Sequence, residues 1–389
     1  MVIYMKAVRI TTCAVIGAVV IIMIIYAVIT GSSYLDIHAS VKNSIESVFS
    51  TLRGDSYIRQ AHFEYLRATR RGHFNQVTFL TDGRMMTDNL EPNIFLYERA
   101  NAFSQLRDYL ERDGVPFLYV RVPSKIEDNS LIPLAFSDNQ IIRNADRLLE
   151  LIRAEGIDTL DLRAEMMREN MDFAESFYRM DIHWTTETSL WASERIGEHL
   201  ISEYGFEIDK SVWDYRRYES ITFKNAWQGN EARYSNARRT FEDITVLFPS
   251  FETEIMMTNR AHEILREGCF IDVFTPKIRD ENIEHLGFLD IGLIGDNFSH
   301  IFNFNSTNDK KVLLIADSFG LTKATFFVLG FERLDSLYLV NRYTSPVLWD
   351  AIDENDYDIV ILAVSDDVVS MEQRELFEDD RLFLGYPGR

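Results

Sequence analysis

The chain has 389 residues, 46% of them hydrophobic, and a formal net charge of −21 at pH 7. This length and apolar content exclude a disordered chain and are sufficient to bury a large core. An acidic surface repels phosphate backbones, so the composition also argues against a nucleic-acid partner.

A membrane-spanning segment is predicted near the N-terminus. Residues 10–29 are apolar apart from two threonines, which is long enough at ~1.5 Å per residue to cross a ~30 Å hydrocarbon core. Lys6 and Arg9 precede the segment, which favours a cytoplasmic N-terminus and an extracytoplasmic remainder. A cleaved signal peptide is the alternative, but the apolar run exceeds the usual ~7–15 residues. We therefore expect residues 1–35 to form a cytoplasmic tip and an uncleaved transmembrane signal anchor in the cell membrane.

The next region is more polar. Residues 36–94 are predicted to form a stalk and lead-in, with apolar positions spaced for one face of a helix in its first part. Helical spacing then predicts a helix over 93–113, and the apolar run 115–122 predicts a strand. We expect the stalk to hold the following domain just off the bilayer.

Helices and strands alternate in the rest of the chain. A helix is predicted over about 140–154, and strands are predicted at 157–162, 312–316, 334–340 and 357–364. This alternation predicts an α/β domain over residues 95–389, with a mostly parallel sheet flanked by helices. Between about 204 and 309 the pattern loosens into short alternating runs, which predicts a β-rich insertion.

Ser318 is a candidate nucleophile. The buried-type strand 312–316 delivers Asp317 and Ser318 to its carboxyl end, and a helix is predicted to begin near Leu321. Open α/β sheets place their sites at this end, and backbone N–H groups at a helix start can stabilise an oxyanion. The alternative is that Asp317 or Ser318 only caps the helix, which is the commonest role at such a position.

Asp181 and His183 are the candidate acid and base. Because one residue separates them, both side chains point to the same side of an extended segment. Asp181 would then hold the imidazole, His183 would take the proton of Ser318, and Trp184 would shield the pair from water. The alternative is a contact that merely orders the next helix, with Thr185 or Thr186 as its N-cap.

Metal and nucleotide chemistry have little support in the sequence. The other histidines show no H-x-H or H-E-x-x-H spacing, and no G-x-G-x-x-G or Walker-type loop is present. We therefore predict neither a metal nor another cofactor.

Four ordered stretches carry a family resemblance: residues 122–125 (VPSK), 156–163 (GIDTLDLR), 178–185 (YRMDIHWT) and 313–320 (LLIADSFG). In this order they resemble the SGNH-hydrolase-like O-acetyltransferases of the alginate O-acetylation type (the AlgX and AlgJ type). The resemblance covers roughly residues 95–365. It implies an SGNH-hydrolase-like α/β fold in which Ser318 is the nucleophile, His183 the base and Asp181 its orienting acid.

The resemblance implies further contacts and a partner. Arg342 and Tyr343 correspond to an Arg–Tyr pair that faces the active site in similar proteins, so they are substrate or oxyanion candidates, as is Trp184. An extracytoplasmic domain has no direct access to cytoplasmic acetyl-CoA. A membrane-bound O-acyltransferase (MBOAT) partner is therefore implied as the supplier of the acetyl group.

Together these features predict a membrane-anchored O-acetyltransferase that acts outside the cell on a polysaccharide. Two alternatives remain open at this point. One is a carbohydrate acetyl esterase with the same three residues, because the same chemistry serves water or a sugar as acceptor. The other is a non-catalytic glycan-binding or assembly protein that keeps the fold.

Overall fold

The structure is a computed structural model, and it describes residues 63–64, 73–74, 77–87, 92–133, 139–235, 237, 240–276, 298–339 and 344–370. Contacts divide the chain into two units, Met1–Tyr65 and Leu66–Arg389. All the strands and helices named below lie in the second unit. No helix among the described residues is long and apolar enough to cross a membrane. The predicted span 10–29 and most of the predicted stalk lie outside the described residues.

The strands in the described part of the chain form three sheets. In chain order they are β1 (His73–Phe74), β2 (Val77–Phe79), β3 (Met85–Thr87), β4 (Phe117–Val122), β5 (Asp158–Asp161), β6 (Tyr218–Trp227), β7 (Glu242–Pro249), β8 (Ile255–Asn259), β9 (Ile264–Gly268), β10 (Phe298–Asn303), β11 (Lys311–Ala316), β12 (Arg333–Tyr338) and β13 (Ile359–Ser365). The largest has eight strands in the order β5-β4-β13-β11-β12-β10-β8-β9. Strands β1 to β3 and the pair β6-β7 form two small antiparallel sheets.

Most of the helices flank the large sheet or connect its strands, whereas the helix Asn230–Tyr234 lies between β6 and β7 of a small sheet. They are α1 (Leu96–Arg112), α2 (Ile141–Ala154), α3 (Leu162–Arg168), α4 (Phe173–Ser176), α5 (Thr186–Tyr204), α6 (Asn230–Tyr234), α7 (Phe270–Phe274), α8 (Ser318–Phe327), α9 (Thr344–Glu354) and α10 (Asp366–Ser370). Helices α1 and α2 agree closely with the predicted 93–113 and 140–154. Helix α8 begins three residues before the predicted Leu321, because Asp317 caps it.

The large sheet is parallel on one side and antiparallel on the other. Strands β5, β4, β13, β11 and β12 pair in parallel, and these are the strands predicted from the apolar runs. Strands β10, β8 and β9 extend the sheet in antiparallel pairings, so the sheet as a whole is mixed. These three strands come from the loosely patterned region 204–309, most of whose described strands therefore join the main sheet.

Both faces of the central parallel strands β4, β11 and β13 are buried. On β11, Val312 and Leu314 face a cluster that includes residues of α5 and α8, whereas Leu313 and Ile315 face a cluster that includes residues of α1, α2 and α9. Burial on both faces explains why the strand reads as a continuous apolar run. Because β4, β11 and β13 run parallel, their carboxyl ends lie along one edge of the sheet, where the candidate residues also lie.

Candidate active site

Ser318 is the first residue of helix α8 and is separated from strand β11 by Asp317 alone. Asp317 caps the helix, because its carboxylate accepts the backbone N–H of Phe319 at 3.0 Å. The other carboxylate oxygen accepts the N–H of Ser365 at 2.7 Å, which ties the helix start to the end of strand β13. The capping role thus belongs to Asp317, and the half-buried Ser318 hydroxyl makes a different contact.

Gly320 lets the helix start lie close to the strand that precedes it. A Cβ at Gly320 would stand 2.1 Å from the Cβ of Ala316, the last residue of β11. Its N–H donates to the carbonyl of Asp317 at 2.9 Å. The Asp-Ser-Phe-Gly sequence therefore folds into a tight strand-to-helix turn that fixes the position of the serine.

Asp181, His183 and Ser318 form one hydrogen-bonded chain. The Nδ1 of His183 is hydrogen-bonded to the Asp181 carboxylate, which also accepts the backbone N–H of His183 at 3.0 Å. The Nε2 of His183 lies 2.7 Å from the Oγ of Ser318. The structure therefore brings together the three residues predicted from two separate stretches of the sequence.

The surroundings of Asp181 keep its carboxylate ionised. Burial raises the pKa of Asp181. The neighbouring His183 and the backbone N–H donors of Asn230 and His183 together lower this pKa by more than burial raises it, so it lies below its ordinary value. The Asn230 N–H lies 2.7 Å from the second carboxylate oxygen. An ionised carboxylate only accepts hydrogen bonds, so Nδ1 of His183 carries a hydrogen, and in the neutral imidazole Nε2 is then the acceptor that faces Ser318.

The segment between Asp181 and helix α5 is shaped by its own backbone bonds. The N–H of Tyr178 donates to the carbonyl of His183 at 3.1 Å, and Phe177 pairs with Trp184 in an antiparallel bridge. Thr185 is the N-cap of α5 and accepts the N–H of Thr188. The helix cap predicted as an alternative role for this region is therefore present, but Thr185 supplies it without using Asp181 or His183.

Trp184 is buried and packs against the residue that follows the serine. Its ring meets that of Phe319 edge-on, with the centroids 5.6 Å apart, and the His183 ring lies 4.8 Å from the same phenyl ring. Trp184 thus belongs to the core that supports the imidazole and the start of α8. The other two predicted contact residues, Arg342 and Tyr343, lie outside the described residues.

The first N–H groups of helix α8 bear on the predicted oxyanion site. Those of Phe319 and Gly320 both donate to Asp317, one to its side chain and one to its carbonyl. In this conformation they are engaged within the turn. In this conformation the N–H groups of Phe319 and Gly320 are therefore not available to an oxyanion.

Gly229 and Asn230 are site residues that the sequence did not reveal. A Cβ at Gly229 would stand 2.0 Å from the carbonyl oxygen of Met180, so only glycine allows this segment to approach the Asp181 loop. That approach lets the Asn230 N–H reach Asp181 across 49 positions of sequence. The contact is made by a backbone group, and neither residue type signals it.

No group of three or more histidine, cysteine, aspartate or glutamate side chains in the described part of the chain is arranged to hold a metal ion. The chemistry available at Ser318 is that of an activated hydroxyl. A hydroxyl nucleophile, an adjacent imidazole base and an orienting carboxylate constitute the arrangement used for acyl transfer.

The family comparison bears directly on the Asp181 segment. Residues 79–217 match the family described as "SGNH hydrolase-like domain, acetyltransferase AlgX". The resemblance predicted from the sequence is confirmed. The AlgX-like match contains Asp181 and His183 and ends before Ser318 is reached. None of the curated proteins matches the chain.

Solved structures agree on the fold. PatB1 from Bacillus cereus, solved with a sulfonyl adduct, is 14% identical with a TM-score of 0.61, and the match covers 76% of this chain and 96% of PatB1. A DHHW family protein from Eubacterium siraeum DSM 15702 is 17% identical with a TM-score of 0.59, over 79% of this chain and 96% of that protein. The AlgX-like segment therefore sits within an α/β fold that both proteins share.

Proposed function

We propose that this protein is an O-acetyltransferase that transfers an acetyl group through Ser318 to a hydroxyl of an exported or cell-surface polysaccharide. The observation that carries the proposal is the hydrogen-bonded chain from Asp181 through His183 to Ser318. The AlgX-type family match supports the acetyltransferase class. The predicted N-terminal anchor supports a position outside the cell membrane and an MBOAT partner as the source of the acetyl group.

The chemistry proceeds in two steps. Ser318 Oγ attacks the carbonyl carbon of an acetyl ester or thioester while His183 Nε2 takes its proton, and that proton then passes to the departing donor group. The acetyl group is now an ester of Ser318. In the second step His183 takes the proton of a sugar hydroxyl, which attacks the ester, and then returns a proton to Ser318 Oγ. Asp181 stabilises the imidazolium formed in each step.

Replacing the nucleophile tests this function directly. The full-length protein is given a chromogenic acetyl ester with and without an oligosaccharide acceptor, and acetylated sugar is measured by mass spectrometry. Ser318→Ala should lower the rate of acetyl transfer by about 10⁴-fold or more, because the acyl-enzyme cannot form. Ser202→Ala, at an exposed serine on helix α5, is the matched control and should leave the rate unchanged.

Each alternative gives a different result. If the ester is hydrolysed and added oligosaccharide neither changes the rate of hydrolysis nor becomes acetylated, the protein is an acetyl esterase. Absence of turnover, together with absence of a covalent adduct on Ser318 after treatment with phenylmethylsulfonyl fluoride, would identify a non-catalytic protein. Acetylated oligosaccharide that persists in Ser318→Ala would refute the assigned nucleophile.

A further inference from the structure

Lys125, in the VPSK stretch that begins at the last residue of strand β4, is a buried cation close to the Asp181 loop. Its side chain is 2% exposed, and its ammonium lies 2.6 Å from a carboxylate oxygen of Glu231. It also donates to the carbonyl oxygens of Met85 and of Arg179, the latter at 3.4 Å. An ammonium group has three N–H donors, so these contacts use all of them.

Glu231 belongs to the short helix α6, which touches the Asp181 loop at two points. Its neighbour Asn230 donates a backbone N–H to Asp181 at 2.7 Å, and the N–H of Ala232 donates to the carbonyl of Met180 at 3.2 Å. Lys125 thus contacts helix α6 through Glu231 and the Asp181 loop through the carbonyl of Arg179. The lysine therefore connects helix α6 to the Asp181 loop, and the distance between these two segments determines whether the Asn230 N–H reaches Asp181.

Glu242 makes further contacts with the same loop. Its carboxylate accepts the backbone N–H of Arg179 at 2.8 Å and that of Met180 at 3.0 Å. The carbonyl of Arg179 accepts the N–H of Met85 as well as the Lys125 ammonium. The residues just before Asp181 are therefore fixed at both their donor and acceptor groups, and Lys125 contributes the one side-chain cation among these contacts.

Stability alone does not explain a buried pair of this kind. Removing two charges from water costs free energy, and well-packed apolar residues in their place often leave a protein equally or more stable. The side chain of Glu231 is fully buried, and this burial raises its pKa although Lys125 acts in the opposite direction. What the pair provides is directional contact with the loop that carries Asp181.

We propose that Lys125 and Glu231 are positioning residues that hold the Gly229–Asn230 backbone against Asp181 and thereby keep His183 aligned with Ser318. Neither side chain contacts the reacting atoms. The effect on reaction rate rests on the proposed function, whereas the effect on the Asp181–His183 contact does not.

The test uses the full-length double variant Lys125→Met/Glu231→Leu, which removes the pair without leaving a buried charge unpaired. We expect it to fold with a Tm near that of the wild type. The rate constant for sulfonylation of Ser318 by phenylmethylsulfonyl fluoride should fall about 10²-fold, the loss typical of a misplaced catalytic group. The same double substitution in an Asp181→Ala background should have little further effect, because both changes act through one contact.

A spectroscopic measurement separates positioning from reactivity. The hydrogen-bonded Nδ1–H of His183 is followed by proton NMR in the histidine-labelled protein, and the double variant should lose or broaden this low-field signal. Arg333→Met is the matched control, because it disrupts the buried contact with Asp335 at the opposite end of the parallel strands. It should lower the Tm but keep the His183 signal and the pH profile of sulfonylation.

The outcomes distinguish the two proposals. Wild-type protein that shows neither acetyl turnover nor sulfonylation of Ser318 would contradict the proposed function, and the NMR signal would still decide the positioning role. A folded double variant that keeps the His183 signal would overturn that role. So would an equal loss of sulfonylation rate with and without Asp181.

Discussion

Gly229 shows how one backbone position shapes the acid of the candidate site. Its φ of −65° is ordinary for any residue, so the need for glycine comes from neighbouring atoms and not from backbone conformation. A Cβ there would lie 2.0 Å from the Met180 carbonyl oxygen and 2.7 Å from the Asp181 Cβ. The bare backbone therefore makes possible the N–H contact that Asp181 receives from Asn230.

Gly229→Ala should separate these two segments. We expect the free energy of unfolding to fall by about 1–3 kcal/mol from overpacking, and the rate of Ser318 sulfonylation to fall as well. Gly205→Ala is the control, since its φ of +68° is strained for alanine but its Cβ would have no atom within 4 Å. That variant should lose about 1–2 kcal/mol without any change in sulfonylation. Equal effects of both variants on sulfonylation would contradict the steric argument.

At the scale of elements, Asp317 joins helix α8 to two strands. It follows strand β11, caps the helix through the N–H of Phe319 and accepts the N–H of Ser365 at the end of strand β13. Because the carboxylate is fully buried, its loss would leave a buried backbone donor without a partner. The cap is thus part of the connection that sets where Ser318 emerges from the sheet.

Asp317→Ala should be more harmful than removal of an ordinary cap. We expect a loss of about 2–4 kcal/mol in the free energy of unfolding, combining the lost cap with an unsatisfied buried N–H. Asp172→Ala removes an exposed cap, the acceptor of the Ala174 N–H at 2.7 Å, and should cost about 1 kcal/mol. Urea unfolding followed by circular dichroism measures both. Similar losses in the two variants would show that the contact with Ser365 contributes little.

At the scale of the whole molecule, acidic side chains collect at the carboxyl edge of the sheet even though the chain is already strongly acidic. Asp317, Asp366 and Asp367 are all buried there. Burial, together with the charges of Asp366 and Asp317, raises the pKa of Asp367 to about 7, while Lys125 acts in the opposite direction. The folded protein therefore favours the protonated form of Asp367.

The sign of the resulting pH dependence follows from linkage. A carboxyl group whose pKa is higher in the folded state contributes stability below its unfolded pKa, and this contribution is lost as the pH rises towards about 7. Asp367→Asn should therefore show a smaller decrease in Tm between pH 4 and 8 than the wild type, whereas the exposed Asp108→Asn should keep the wild-type profile. Parallel Tm profiles for Asp367→Asn and the wild type would disprove the assignment.

Much of the architecture was predictable because its signals are local. Apolar runs such as 312–316 mark strands buried on both faces, and the charged helical patterns at 93–113 and 140–154 mark helices within a few residues of their ends. The pairing of β8, β9 and β10 with the main sheet was not predictable in this way. Antiparallel partners are chosen by long-range packing, and short alternating runs do not specify which strand they join.

The candidate site likewise has features that depend on local sequence and features that depend on long-range packing. The residue types, their order and the place of Ser318 after a buried strand can all be read along the chain. Folding brings His183 within 2.7 Å of Ser318, gives Asp317 the capping role and places the Asn230 N–H against Asp181. Side-chain chemistry and hydrophobic periodicity are local properties of the sequence, whereas contacts between distant segments depend on how the buried layers pack.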